Sequence, residues 1–284
     1  MSKALEKVSE KMIALVEQIG DLPWKKPWKG GKKYGFGNPT NPTTKRVYSG
    51  GNVMILGMAA LANGWPNLWG GFKQWSKLHG RVKKGEKGTP ILVPRIKKVV
   101  NDDGDEEDRF SGFFCKYVWN ICQTTVDFEI EEEKAEDKPF TPIQRAEEIV
   151  VGYKTIPVVT FNEPRAYYQP SKDIINMPKQ KSFNKPEEFY STLFHEMVHS
   201  TGHSSRLDRE GVVGISAFGG KTYSFEELVA EFGACMLCSE AGILPKVEEN
   251  SAAYLAGWLK KLKSNPEWLY KAADKAVKAA EYIL

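Results

Sequence analysis

The residues most able to do chemistry stand together at positions 194–199, a segment that contains the pattern HExxH. On a helix, residues four apart share one face, so the imidazoles of His195 and His199 can bind one Zn²⁺ ion. Glu196 lies between them, where it can take a proton from a water molecule that the metal activates. The spacing therefore predicts a metal site in which Glu196 is the catalytic general base.

The surrounding segment has the features of a helix. Pro186, Glu187 and Glu188 suit a first turn, because proline tolerates the first helical position and acidic side chains stabilise the positive helix end. Apolar residues such as Leu193 follow at helical spacing. We therefore predict a helix over residues 186–202 that presents both histidines on one side.

A catalytic zinc site usually has three protein ligands, and the sequence leaves two kinds of candidate for the third. His203 lies four residues beyond the motif, but on a straight helix it would be about 12 Å from His195. The alternative is a glutamate on a second predicted helix, residues 223–242, where Glu227 and Glu231 lie one turn apart. We favour Glu227 as the ligand and Glu231 as the partner that orients a histidine, and the reverse assignment stays open. His203 then caps the first helix or contacts substrate.

Cysteine usage points away from a second metal site. Cys235 and Cys238 form a CxxC pattern inside the predicted apolar helix, and Cys115 and Cys122 are spaced too widely to complete it. We interpret Cys235 and Cys238 as small core residues. Four cysteines in 284 residues exclude a disulfide scaffold and suit a reducing compartment.

The first third of the chain is basic and aromatic. Residues 1–100 hold 19 Lys and Arg against 5 Asp and Glu, whereas residues 101–150 hold 5 against 15. Five of the eight tryptophans fall between residues 24 and 75. Unpaired nucleic acid binds such surfaces, because bases stack on rings and cations neutralise phosphates. The candidate DNA-binding residues are Trp24, Lys25, Lys26, Trp28, Tyr48, Lys83, Lys84 and Lys87. Trp65, Trp69 and Trp75 lie in or beside apolar helices and are candidates for the core.

The elements that must position these residues indicate an α+β fold with two domains. Helical spacing at residues 2–20 and 51–62 precedes strand-like segments at 89–94 and 110–120, which flank an acidic loop at 101–108. In the second half, strand-like segments between residues 157 and 178 precede the helices. The predicted organisation is a first domain at residues 1–128, a charged linker at 129–140 and a second domain at 141–284.

No run approaches the roughly 20 apolar residues that a membrane span needs. The N-terminal segment also lacks the continuous apolar stretch of a secretory signal. We therefore expect no membrane partner and a cytoplasmic protein.

Several separate motifs, in order along the chain, resemble the ArdC family of antirestriction proteins of plasmids and phages, which is related to TraC-type primases. The N-terminal likeness covers about residues 3–125 and rests on the segments PWKKPW (23–28), YSGGNV (48–53), FKQW (72–75) and VKKGEKG (82–88). The C-terminal likeness covers about residues 141–284 and rests on FHEMVHSTGH (194–203), SRL (205–207) and EELVAEFGA (226–234).

The resemblance implies an N-terminal mixed α/β domain that binds single-stranded DNA, joined to a C-terminal zincin-like metallopeptidase domain with the HExxH helix. It implies a role in protecting incoming DNA from host restriction. It places metal binding on His195, His199 and a glutamate of residues 226–231, with Glu196 as general base. Zn²⁺ is the expected cofactor, with another divalent metal as the alternative. Single-stranded DNA is the expected partner, and a host protein is a candidate substrate.

A second hypothesis comes from a different class of protein. The chain would then be a non-enzymatic single-stranded-DNA-binding protein whose zincin-like domain is structural or an interaction module. The substitution Glu196→Gln separates the two, because only an enzyme needs that carboxylate. A metal-dependent nuclease is disfavoured, since no carboxylate cluster for two Mg²⁺ ions is apparent in the sequence.

Overall fold

The computed structural model describes residues 2–20, 39–100, 105–127, 142–213, 221–243 and 252–284. Its helices are α1 (Lys3–Ile19), α2 (Gly51–Asn63), α3 (Phe72–Lys77), α4 (Pro142–Gly152), α5 (Pro186–Ser200), α6 (Glu210–Val213), α7 (Lys221–Ala241), α8 (Ala252–Ser264) and α9 (Trp268–Ile283). Its strands are β1 (Trp69–Gly70), β2 (Thr89–Val100), β3 (Glu106–Asn120), β4 (Val158–Thr160), β5 (Tyr167–Gln169) and β6 (Ile174–Asn176). This mixture of helices and small sheets confirms the α+β class.

The first sheet is a long antiparallel hairpin of β2 and β3, with the short β1 on the far side of β3. Pairing runs from Thr89 opposite Val118 to Val100 opposite Glu106. An exposed ion pair between Lys98 and Glu106, 2.9 Å long, lies near its outer end. Strand β3 therefore begins inside the segment that the sequence indicated as an acidic loop, because cross-strand pairing continues there.

The second sheet has the order β4-β6-β5, with β4 parallel and β5 antiparallel to the central β6. Strands β5 and β6 form an antiparallel hairpin within the strand-like region that the sequence indicated between residues 157 and 178. The amide of Asn176 stabilises its end by donating to the carbonyls of Glu163 and Arg165, at 3.1 and 2.6 Å. Strand β5 lies at the edge of this sheet and packs against α5.

Helix α9 joins the N-terminal and C-terminal parts of the fold. It packs against α7 and α5 and also against α1 and α2. Its buried face includes the small residues Ala272, Ala273 and Ala276, which allow neighbouring helices to approach closely. Near its start, the Tyr270 hydroxyl donates to Oδ1 of Asn52 at 3.3 Å. The hydrophobic core is therefore continuous across the two halves.

Helices α5 and α7 also approach closely, and a glycine permits it. A Cβ atom on Gly233 would lie 2.7 Å from Cγ2 of Val198, closer than two carbon atoms can come without displacement. The close approach brings the glutamates near the start of α7 against the histidines of α5.

Residues 128–141 lie outside the described part of the chain, so the linker at 129–140 and the boundaries beside it stay predictions. Within the described ranges, no helix combines the length and apolar character needed to cross a lipid bilayer.

Candidate metal centre and nucleic-acid interface

Three side chains from two helices converge on one point. His195 and His199 lie one turn apart on α5, with their Nε2 atoms 3.1 Å apart. Glu227 of α7 faces them, with Oε2 3.5 Å from Nε2 of His195 and Oε1 3.4 Å from Nε2 of His199. Each residue offers one ligand atom, and these atoms all lie within 4.8 Å of one another. The structure thus brings together the three residues that the sequence analysis favoured as ligands.

The separations between these atoms fit a divalent metal ion. Ligands held 2.0–2.1 Å from a tetrahedral zinc ion lie about 3.3 Å apart. The two histidine nitrogens are 3.1 Å apart, and Glu227 approaches them with different carboxylate oxygens at 3.4 and 3.5 Å. Two imidazoles and one glutamate also form a ligand set found in catalytic zinc sites that keep a fourth position open. The residues present therefore fit a divalent metal ion.

The electrostatics of this centre favour a cation. Burial opposes protonation of His195 and His199, yet the glutamates of α7 outweigh it and raise the pKa of both, that of His199 to about 10. Burial likewise opposes ionisation of Glu227, but the two histidines hold its pKa well below its usual range. Glu196 is 7% exposed, and its charge adds to the raised pKa of both histidines. A bound divalent ion would supply the positive charge that these carboxylates otherwise stabilise on the histidines.

Arg209 and Glu226 form a buried ion pair beside His199. Oε1 of Glu226 lies 3.7 Å from Nδ1 of His199, the ring nitrogen that faces away from the other ligands. Arg209 donates from Nη2 to that carboxylate at 2.6 Å and from Nε to both of its oxygens at 3.1 and 3.2 Å. Its other donors reach Oγ1 of Thr201 and the carbonyl of Val198, at 2.6 and 2.7 Å. Arg209 thereby holds Glu226 where it can orient the His199 ring.

The other ligand candidates take different places. Nδ1 of His203 accepts from the backbone N–H of Ser205 at 3.2 Å, in the turn that follows α5. Among the described residues, the group of converging ligand atoms does not include His203. The charge of Glu231 adds to the raised pKa of His195. Its role as an orienting partner stays a prediction, whereas Glu226 occupies the position beside His199.

Sequence reasoning missed Arg209, and it included Glu226 only as one glutamate of the possible ligand range 226–231, not as the neighbour of Nδ1 of His199. Arg209 reaches the site only because the chain turns back after α5, where its backbone N–H donates to the carbonyl of Gly202 at 2.9 Å. The sequence did contain a hint of this ion pair. Glu226 is a charged residue in a helix with buried neighbours, and a buried carboxylate needs a positively charged partner.

The expectations about the core are confirmed. Cys235 and Cys238 are buried in α7. Trp69 and Trp75 are fully buried, and the half-buried Trp65 meets Trp69 edge to face at 6.1 Å.

A second concave surface lies in the N-terminal part of the chain, a groove of about 600 Å³. The rings of Phe72 and Tyr117 line it and are 57% and 45% exposed. The Phe72 ring meets that of Trp119 edge to face at 5.9 Å. Lys73 and Lys116 line the same groove. Exposed rings beside cations are the surface that unpaired nucleic acid requires.

The structure brings part of the predicted DNA-binding set to this groove. Tyr48 lines it, and its hydroxyl donates to the carbonyl of Trp69 at 3.0 Å. The indole N–H of Trp119 donates to the carbonyl of Glu86 at 3.3 Å, which ties the turn before β2 to the groove. The exposed lysines of that turn are Lys83, Lys84 and Lys87. The remaining candidates, Trp24, Lys25, Lys26 and Trp28, lie outside the described residues.

Comparison with protein families and curated proteins gives matches along nearly the whole chain. A family model described as the N-terminal domain of anti-restriction factor ArdC matches residues 2–141, and a zincin-like metallopeptidase model matches residues 144–275. DNA primase TraC of Escherichia coli is 33% identical over 298 residues, which cover 98% of this chain and 27% of that protein. The chain therefore spans about a quarter of the length of TraC. Uncharacterized protein y4eC of Sinorhizobium fredii is 30% identical, with 98% of this chain and 90% of that protein covered.

Solved structures with a similar fold belong to the antirestriction protein ArdC from plasmid R388. Its metal-free crystal structure matches with a TM-score of 0.74 and 32% identity, over 99% of this chain and 97% of that chain. Its Mn(II)-bound structure matches with a TM-score of 0.70 at the same identity and coverage. With both domains matched in order and the fold shared over nearly its full length, the chain belongs to the ArdC family of antirestriction proteins.

Proposed function

We propose that the chain is a zinc metallopeptidase tethered to single-stranded DNA, which protects incoming DNA from host restriction in the cytoplasm. The observation that carries the proposal is the convergence of ligand atoms from His195, His199 and Glu227 within 4.8 Å, with Glu196 on the same helix as the histidines. Membership of the ArdC family supports the antirestriction role, and the aromatic and basic groove supports DNA binding.

Each residue of the metal centre has a separate role in the proposed peptidase reaction. His195, His199 and Glu227 would hold the metal ion, which when bound supplies a Lewis acid for the scissile carbonyl and for water. Glu196 accepts a proton from the attacking water on a carboxylate oxygen and then returns it to the nitrogen of the leaving amine. Glu226 keeps the His199 ring oriented from its Nδ1 side. The reaction class is peptide-bond hydrolysis.

Substituting the two rival glutamates separately tests the ligand set. We expect Glu227→Ala to weaken Zn²⁺ binding by more than about 100-fold, because outer partners of a metal ligand alone contribute about 10- to 100-fold. Glu231→Ala is the matched control on the same helix and should lower affinity by less. Competition with a chromophoric chelator measures both constants, and Mn²⁺ in the same assay shows which metal the site prefers. A larger loss for Glu231→Ala than for Glu227→Ala would reverse the assignment.

Tethering explains why one chain would carry both activities. A DNA-bound peptidase meets other proteins on the same DNA at a raised effective concentration, without any new contact between them. A host protein that acts on the incoming DNA is therefore the substrate class that this arrangement favours.

If the groove binds single-stranded DNA, the affinity should depend on salt and on the exposed rings. Affinity for a short oligothymidylate should fall steeply as salt rises, because phosphate contacts release counterions. Phe72→Ala with Tyr117→Ala should weaken binding by at least about 10-fold, since each stacked base contributes roughly 1–3 kcal/mol. Trp24→Ala with Trp28→Ala should also weaken it.

Fluorescence anisotropy at several salt concentrations measures these affinities. Phe161→Ala is the control, because Phe161 is an exposed ring that does not line the groove. Binding that does not change with salt, or an equal loss in the control, would contradict the stacking and phosphate model.

A further inference from the structure

A second cavity, of about 400 Å³, lies where the N-terminal and C-terminal parts of the chain meet. Leu92 and Phe113 of the β2–β3 hairpin form part of one wall, and Lys271, Lys275 and Lys278 of α9 form part of another. These residues belong neither to the metal centre nor to the groove. The volume falls in the range of small-ligand sites. We call this space the junction cavity.

The α9 wall of the junction cavity is a row of cations. Lys271, Lys275 and Lys278 are spaced by four and three residues, so they share one face of the helix, and all three are exposed. Lys278 pairs with Asp274 at 3.1 Å, and Lys271 lies 3.9 Å from Glu267. Among the lining residues that the structure describes, Asp274 is the single acidic one, against the three lysines. The excess of positive charge suits a phosphate group.

The part of the lining that Leu92 and Phe113 form is apolar and includes an aromatic ring. Phe113 is 44% exposed, so part of its surface is available to a ligand. Consecutive side chains of a strand alternate between its faces, so Leu92 faces the junction cavity while Ile91 and Val93 line the groove. A ring and a row of cations that line one cavity fit the base and the phosphate of a nucleotide. An acidic peptide would use the lysines and leave the ring without a stacking partner.

The floor of the junction cavity connects to the metal centre. Leu207 and Arg209 both line the cavity, and the backbone N–H of each donates at 2.9 Å to a carbonyl at the end of α5. Arg209 also holds Glu226, whose carboxylate lies beside His199. A ligand that contacts this segment can therefore act on a predicted metal ligand through the hydrogen bonds from Arg209 to Glu226 and the 3.7 Å contact between Glu226 and His199.

We propose that the junction cavity binds one nucleotide unit, with its phosphate on the lysines of α9 and its base against Phe113, and that this binding is coupled to metal binding through Arg209. The inference rests on the proposed function, because it takes the metal centre and the DNA ligand from it. The nucleotide unit comes either from a strand of single-stranded DNA or from a free mononucleotide. Coupling between two sites is reciprocal, so the nucleotide and the metal must change each other's affinity by the same factor.

Calorimetric titration of the full chain tests binding with three probes: deoxyadenosine monophosphate, a twelve-nucleotide oligothymidylate and polyglutamate. Lys275→Gln with Lys278→Gln removes two cavity cations. Lys154→Gln with Lys172→Gln is the matched control, because both lysines are exposed and outside the cavity. We expect the cavity variant to bind a nucleotide probe about 10-fold more weakly than wild type, the change that follows from losing one good charged contact. The control should bind as wild type does.

The coupling is measured as Mn²⁺ affinity with and without a saturating nucleotide probe. We expect a change of at least about 5-fold in wild type, with the same factor when Mn²⁺ is added before the nucleotide. Arg209→Lys keeps the positive charge but cannot make all of the same hydrogen bonds, so adding the nucleotide probe should no longer change the Mn²⁺ affinity of this variant.

An effect seen with the mononucleotide identifies a free nucleotide as a ligand, and an effect seen only with the oligonucleotide identifies the DNA strand. If wild type, the cavity variant and the control variant bind the nucleotide probes equally well, or if only polyglutamate binds, the proposed nucleotide site is wrong. Unchanged Mn²⁺ affinity would overturn the coupling. Oligonucleotide binding can be weakened by the groove variant, Phe72→Ala with Tyr117→Ala, and unchanged in the cavity variant. In that case the junction cavity proposal is wrong, but the proposed DNA-binding function stands. If neither variant weakens oligonucleotide binding, the proposed DNA-binding function fails as well.

Discussion

Replacing Glu196 by glutamine is expected to lower peptidase turnover by about 10²- to 10⁴-fold, the usual contribution of a general acid–base group. Glutamine has nearly the shape of glutamate, so it should fit the buried position, where Glu196 is 7% exposed. Its amide cannot accept the proton of the attacking water. Because Glu196 is not one of the three converging ligand residues, metal content and DNA affinity should stay close to wild type.

Four measurements on the same preparations check this expectation. They are zinc content, oligonucleotide affinity, cleavage of the disordered protein casein, and the survival of incoming plasmid DNA in a restricting host relative to a non-restricting one. Glu187→Gln is the matched control, since it makes the same chemical change on the same helix but in the first turn. The control should behave as wild type in all four.

The combination of results separates the two hypotheses about function. Loss of both cleavage and protection in Glu196→Gln, with metal and DNA binding retained, shows that hydrolysis is the antirestriction activity. Protection that survives in this variant shows that DNA binding provides it, and the metal centre is then structural or serves another task. Loss of zinc would instead show that Glu196 stabilises the metal site itself.

The local part of the candidate site could be predicted from the sequence because helical geometry determines it. Two histidines four residues apart must share a face, so the HExxH segment alone placed His195 and His199 together. Glu227 could be proposed because a ligand set of two histidines and a glutamate needs a carboxylate from a second helix. The fold class followed from strand and helix patterns in the same way.

The ion pair behind His199, the groove and the junction cavity could not be predicted in this way, because they depend on contacts between segments far apart in the sequence. Glu226 and Arg209 are 17 residues apart, and their pairing depends on the turn that follows α5. Lys116 and Tyr117 join the groove through the register of the β2–β3 hairpin, where they pair with Ile91 and Pro90, and apolar patterns alone do not determine that register. The junction cavity exists only because α9 packs against both halves of the chain.

Breaking the buried ion pair behind His199 is expected to have the largest effect on stability. Arg209→Leu would leave the carboxylate of Glu226, which is 4% exposed, without the guanidinium that donates to both of its oxygens. Removing one member of a buried pair usually lowers the free energy of unfolding by about 3–5 kcal/mol. Urea denaturation of the metal-free protein, in the presence of a chelator, measures this loss without a contribution from metal binding.

The double substitution Arg209→Leu with Glu226→Leu should recover most of that free energy, because a buried pair replaced by apolar side chains is often neutral. It should not recover metal binding, since Nδ1 of His199 has still lost its orienting carboxylate. We expect Zn²⁺ affinity to remain about 10- to 100-fold below wild type in the double variant. Recovered stability with weak metal binding would assign the pair to positioning His199. If metal affinity recovers together with stability, the pair acts only on the fold, and the link from Arg209 to the metal centre is wrong.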